Sequence, residues 1–164
     1  MELKKVQKFS LYLFLKYKIN SNLKIQKILF FLRVYEKMKD PNNSSSPIFD
    51  QENGNFQAWT YGPVCVDSYD FMCKFLDKKE EIKNNFLLDD NKQFDEYVNV
   101  INNLDDEEPY QLVDLSHQNL EYINVRKRNN IKDWQPCCSS LDETTNDFIN
   151  FGDSNDKIKS LFSL

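Results

Sequence analysis

Leu23-Lys24-Ile25-Gln26-Lys27-Ile28-Leu29-Phe30-Phe31-Leu32-Arg33-Val34-Tyr35-Glu36-Lys37-Met38-Lys39 is the stretch on which the fold turns. Ile25, Ile28, Leu29, Leu32 and Tyr35 recur every three or four residues, the spacing that lines one face of an α-helix. Phe30, Phe31 and Val34 widen the stripe until the helix is apolar on most sides, which places it in the middle of the core. Ser21 or Asn22 stands where an N-cap is needed, and Asp40-Pro41 ends the run. Upstream, Leu3, Val6, Phe9, Leu13 and Tyr17 keep the same period and predict another helix.

Downstream comes the one β signal. Ile48-Phe49 and Phe56-Gln57-Ala58-Trp59 flank Asn53-Gly54, a pair suited to the positive φ of a hairpin turn. A hairpin pairing residues near 48–50 with residues near 56–59 is therefore expected. Tyr61-Gly62-Pro63-Val64 reads as a break, with Pro63 opening a helix that runs to about Leu76. Phe94, Tyr97, Val98 and Ile101 predict a helix over 92–104, stopped by Asp105-Asp106-Glu107-Glu108-Pro109. Short helices follow near 110–117 and from Leu120, an irregular stretch spans 129–140, and terminal helices are expected over 141–151 and 153–162. The fold class is mainly α (α+β): one helical domain over residues 1–164 with one inserted two-stranded β-hairpin.

Composition sets the outer limits. The 164 residues are one domain's length, 40% hydrophobic and 29% charged, with thirteen Phe, eight Tyr and two Trp to fill a core. Cys65, Cys73, Cys137 and Cys138 form no legible disulfide framework, which suits a reducing, cytoplasmic setting. The apolar run Phe9–Leu15 is cut by Lys16 and Lys18, so neither a signal peptide nor a membrane span is expected. Residues 1–40 hold ten Lys and Arg against three Asp and Glu, whereas residues 89–164 hold seven against sixteen. The acidic half disfavours nucleic acid as a partner. The same asymmetry suits an oppositely charged protein.

Chemical motifs are sparse. No phosphate cradle of the G-x-x-x-x-G-K-[ST] or G-x-G-x-x-G type occurs, and neither cysteine pair has zinc-ligand spacing, so no cofactor and no metal is expected. His117 is the only histidine. A catalytic role for it would require a Cys or Ser nucleophile from elsewhere, because its neighbour Ser116 does not share its helix face. A structural hydrogen bond is the plainer reading of His117. Acidic pairs such as Asp89-Asp90 read as solvated surface.

Three segments, in order, resemble the Panacea domain family, the phage-associated group that includes the SocA-type antitoxins. Leu23 to Phe31 is similar to the family's L-x-L-Q-K-L-L-Y-Y helix, which brings in Gln26 and Lys27. Pro47-Ile48-Phe49-Asp50 with Phe56-Gln57-Ala58-Trp59-Thr60-Tyr61-Gly62-Pro63-Val64 is similar to its hairpin ending in A-W-x-x-G-P-V. Leu115-Ser116-His117-Gln118 resembles its L-[ST]-H motif. The motifs span about residues 5–122 and leave a tail beyond Arg126 unaligned. Asn119-Leu120-Glu121-Tyr122 stands where the family often continues with Pro-Trp.

The resemblance implies an antitoxin and not an enzyme. Its partner would be a cognate toxin, with a AAA+ protease as a further partner if the protein acts as an adaptor. The alternatives are a small enzyme using His117 with a Cys or Ser nucleophile, and a DNA-binding regulator. The motif residues Gln26, Lys27, Trp59, Tyr61, Gly62, Pro63, Val64, Ser116 and His117 read first as architecture and second as a partner-binding surface. Gly62 is expected to permit a backbone conformation or a close approach that a Cβ would block. Gln26 is expected to bond main-chain groups of the Gly-Pro turn. Trp59 is expected to bury its ring against the helix carrying Ile25, Ile28, Leu29 and Leu32.

Overall fold

The computed structural model describes residues 2–42, 45–50, 55–78 and 91–164. Its helices are α1 (Lys5–Lys16), α2 (Asn22–Lys39), α3 (Val66–Asp77), α4 (Val98–Asp105), α5 (Pro109–Ser116), α6 (Leu120–Arg128) and α7 (Asn155–Leu161). A two-stranded antiparallel sheet of β1 (Phe56–Trp59) and β2 (Gly62–Cys65) lies between α2 and α3 in sequence. Over the described residues the protein is thus mainly α with one inserted hairpin. Among the described residues no helix is long and apolar enough to cross a membrane.

The central helix is α2. Ser21 caps it by accepting a hydrogen bond from the Lys24 amide at 3.2 Å, and Ile25 to Leu32 are buried without interruption. A helix apolar on most sides must be wrapped, and α2 meets β2, α3, α4, α5 and a 3-10 turn at Asn146–Ile149. Phe30 meets Phe56 at 5.5 Å and Phe148 at 5.7 Å, both edge-on, and Phe31 stacks on Phe151 at 5.8 Å. The tail beyond Arg126 therefore closes the core: Phe148, Phe151, Ile158, Leu161 and Phe162 are all buried in it.

The hairpin differs from its sequence reading. β1 pairs not with residues 48–50 but with β2, in the register Phe56↔Cys65, Gln57↔Val64, Ala58↔Pro63 and Trp59↔Gly62. Ile48 and Phe49 are buried in a turn whose amides both bond the Ser46 hydroxyl. Asn53-Gly54, Lys79-Glu80-Glu81 and Asp89-Asp90 lie outside the described residues. Thr60-Tyr61 makes the connection, and Gly62 leaves it at φ +97, a backbone region where only glycine is unstrained.

Pro63 belongs to the second strand and not to a helix start; α3 begins at Val66. A proline is tolerated in a strand where its missing N–H would face away from the ladder. The Pro63 carbonyl does face away from β1 and accepts a bond from Lys27 Nζ at 2.7 Å.

Two further segments depart from expectation. The 92–104 helix is a 3-10 stretch at Asn91–Tyr97 followed by α4. The helix expected over 141–151 is replaced by turns and the 3-10 turn Asn146–Ile149. Here the backbone has another use, since the Leu141 amide donates to Phe56 O at 2.8 Å and Ser140 bridges Gln57. Asp142 then accepts from the Thr144 amide and hydroxyl, a local turn that competes with helix.

Candidate functional site

Gln26 and Lys27 are adjacent on α2, buried, and face the outer edge of β2. An edge strand leaves alternate amides and carbonyls unpaired, and these two side chains supply the missing partners. Gln26 Oε1 accepts from the Cys65 amide at 3.1 Å, and Lys27 Nζ donates to Pro63 O at 2.7 Å. The Gln26 amide nitrogen donates to Ser68 Oγ and Asn22 Oδ1, both at 3.0 Å. Lys27 is enclosed, and loss of hydration pulls its ammonium down from 10.5 to about 7.

Gly62 is where this edge meets α5. A Cβ at Gly62 would collide with Ser116 Oγ and crowd Lys27 Cε, as the sequence reading requires. Ser116 itself donates its hydroxyl to Val113 O at 2.7 Å.

The other edge and the tip are tied from the opposite side. Ala58 N donates to Ser139 O at 3.0 Å, and Arg126 Nη1 donates to Ala58 O at 2.7 Å. Arg126 Nη2 bonds Lys132 O and Gln135 O, so its three hydrogen bonds all go to backbone carbonyls. The Tyr122 hydroxyl donates to Trp59 O at 2.7 Å. His117 Nε2 lies 3.2 Å from Thr60 O, and since a carbonyl only accepts, that nitrogen carries the proton. His117 stacks on Tyr122 at 5.3 Å, and burial holds its imidazole below the ordinary value. Thr60 Oγ1 donates to Gln135 O at 3.2 Å.

All three motif segments thus converge on one hairpin. Tyr122, Arg126 and Gln135 belong to the same clamp, although the sequence reading did not place them in the site; their partners are backbone carbonyls, which no local sequence pattern announces. For nucleophilic chemistry Ser116, His117 and Cys65 are poorly placed. Ser116 Oγ and His117 Nε2 each donate to a carbonyl, and burial pushes the Cys65 thiol up to about 12.

Trp59 departs from expectation. Its ring is half-buried, edge-on to Tyr69 of α3 at 4.9 Å, with Nε1 donating to Gln57 Oε1. It does not reach into the core stripe; instead it lines an apolar groove of about 380 Å³ together with Leu23, Tyr61, Val64, Tyr69 and Pro136. Across the Thr60-Tyr61 turn lies a second groove of about 370 Å³, walled by His117, Tyr122, Arg126, Lys127, Ile131 and Asp133. Tyr61 is 66% exposed and Trp134 72% exposed. Trp134 immediately precedes Gln135 and Pro136, which touch the turn and line its groove.

A family model described as antitoxin SocA-like, Panacea domain, matches residues 25–150. No curated protein and no solved structure matches the chain.

Proposed function

The chain belongs to the antitoxin SocA-like family of Panacea-domain proteins, and from that membership we propose that it neutralises a toxin encoded beside it by direct contact. The observation that favours contact is the tip of the hairpin. The turn is held by His117, Tyr122, Arg126 and Gln135, while Tyr61 and Trp134 stand exposed around it. Exposed aromatic side chains on a rigid frame are the usual anchors of protein interfaces, because they bury large area with little loss of side-chain freedom.

The test is co-expression with the product of the adjacent gene. Growth should be restored, a stoichiometric complex should co-elute, and Tyr61→Asp should abolish both while the variant stays folded. Rescue by every folded variant of the tip would move the interface elsewhere, and an adjacent gene harmless in every host would remove the antitoxin role. Two modes of neutralisation are separated by toxin lifetime. Occlusion lengthens it, whereas delivery to a AAA+ protease shortens it only in a host that carries the protease.

A further inference from the structure

We propose that the two grooves beside the hairpin tip form one docking cleft for an extended segment of a partner protein, bearing an aromatic or leucine side chain and, two or three residues away, an Asp or Glu. The inference deepens the contact role argued above and rests on it. Thr60 lines both grooves, so this residue of the turn forms the ridge between them. An extended chain advances ~3.3 Å per residue, and two or three residues cross such a ridge.

The chemistry of each end follows from its walls. On one side Leu23, Trp59, Val64, Tyr69 and Pro136 offer an apolar slot without a charged side chain in its lining. On the other, Arg126 and Lys127 face a single acid, Asp133. Arg126 bonds only carbonyls and lies over the Tyr122 ring at 5.6 Å. Lys127 is exposed and forms no ion pair among the described residues. Within this lining two cations stand against one acid, an excess that a carboxylate complements. The clamp on Trp59, Thr60 and Ala58 fixes the ridge before anything binds, which lowers the ordering cost of docking.

A random peptide library displayed on phage, selected against the full chain, tests this without any toxin. Enriched peptides should share the apolar residue and the acid at the stated spacing. Lys127→Glu should weaken the best synthetic peptide by about tenfold or more, and Lys in place of the peptide's acid should restore binding to that variant. Tyr61→Ser, at an exposed position, should weaken it while leaving the melting temperature unchanged. Selected peptides without an acid, binding indifferent to both variants, or no enrichment would each overturn the proposal. So would a Tyr61-dependent dimer in sedimentation, which would make a second copy the occupant. A blank selection beside full growth rescue removes the cleft and leaves neutralisation standing; peptide binding without a toxin removes neutralisation alone.

Discussion

At Gly62 one hydrogen atom decides whether β2 can lie against α5. Gly62→Ala combines a disfavoured φ with a collision against Ser116 Oγ, and should cost about 2–4 kcal/mol in urea unfolding. Adding Ser116→Ala should recover part of that loss, because it removes the colliding atom and leaves the backbone strain; additive losses would show that the collision is not the cause. Lys27 offers a pH test. Its folded value, about 7, lies below the unfolded one of 10.5, so the unfolded chain holds the extra proton between them and stability rises with pH across that window. Relative to Lys27→Met, the natural protein should gain about 2–3 kcal/mol between pH 6 and 9. Parallel profiles would show that the amine keeps its charge inside. Gly62 is legible in the sequence as a position that rejects a side chain, since a Gly-Pro pair after a strand has few other uses. The burial of Lys27 is not legible, because a lysine in a helix reads as solvent-facing until its carbonyl partner is known.

The hairpin element persists because helix side chains complete its ladder. Gln26→Leu keeps the volume but removes the side-chain acceptor that the Cys65 amide uses, and should cost about 1–3 kcal/mol. Faster hydrogen exchange at Cys65, with α1 unaffected, would locate the loss; unchanged exchange would refute the role. Aromatic residues at the hairpin should separate by burial. Phe30→Ala, in the core between Phe56 and Phe148, should cost about 3–5 kcal/mol. Trp59→Ala, half-exposed on the groove, should cost about 1–2 kcal/mol. Helices α1 and α2 were readable because their apolar spacing repeats over several turns. The strand partner was not, since Asn53-Gly54 is the stronger local turn signal and Pro63 looks like an interruption. Pro63 fits because its missing N–H would face away from β1, which depends on the register of the pair and so on tertiary structure.

Across the whole molecule, part of the charge asymmetry of the sequence is taken up by internal pairing. Lys4 meets Asp67 at 2.6 Å, Lys24 meets Asp105 at 2.8 Å, and Arg33 bridges Glu36 and Glu143. Lys4, Lys24 and Arg33, three of the ten basic residues in the first forty, are thus held against acids of the same chain. The tail is equally bound into the fold. Deleting residues 141–164 removes Phe148, Phe151, Ile158, Leu161 and Phe162 from the core, and should abolish the cooperative thermal transition seen by circular dichroism. A truncated chain that still melts sharply would make the tail an accessory. Its role was hidden in the sequence because its anchors sit in turns with no repeating period. The closure of the hairpin on both edges has a bearing on solubility and on engineering. A ladder filled by Gln26 and Lys27 on one side and by residues 139–141 on the other presents no vacant template for a neighbouring chain. Concentrated protein should consequently resist fibril growth seeded from this sheet, and foreign loops spliced between Thr60 and Tyr61 should leave that resistance intact.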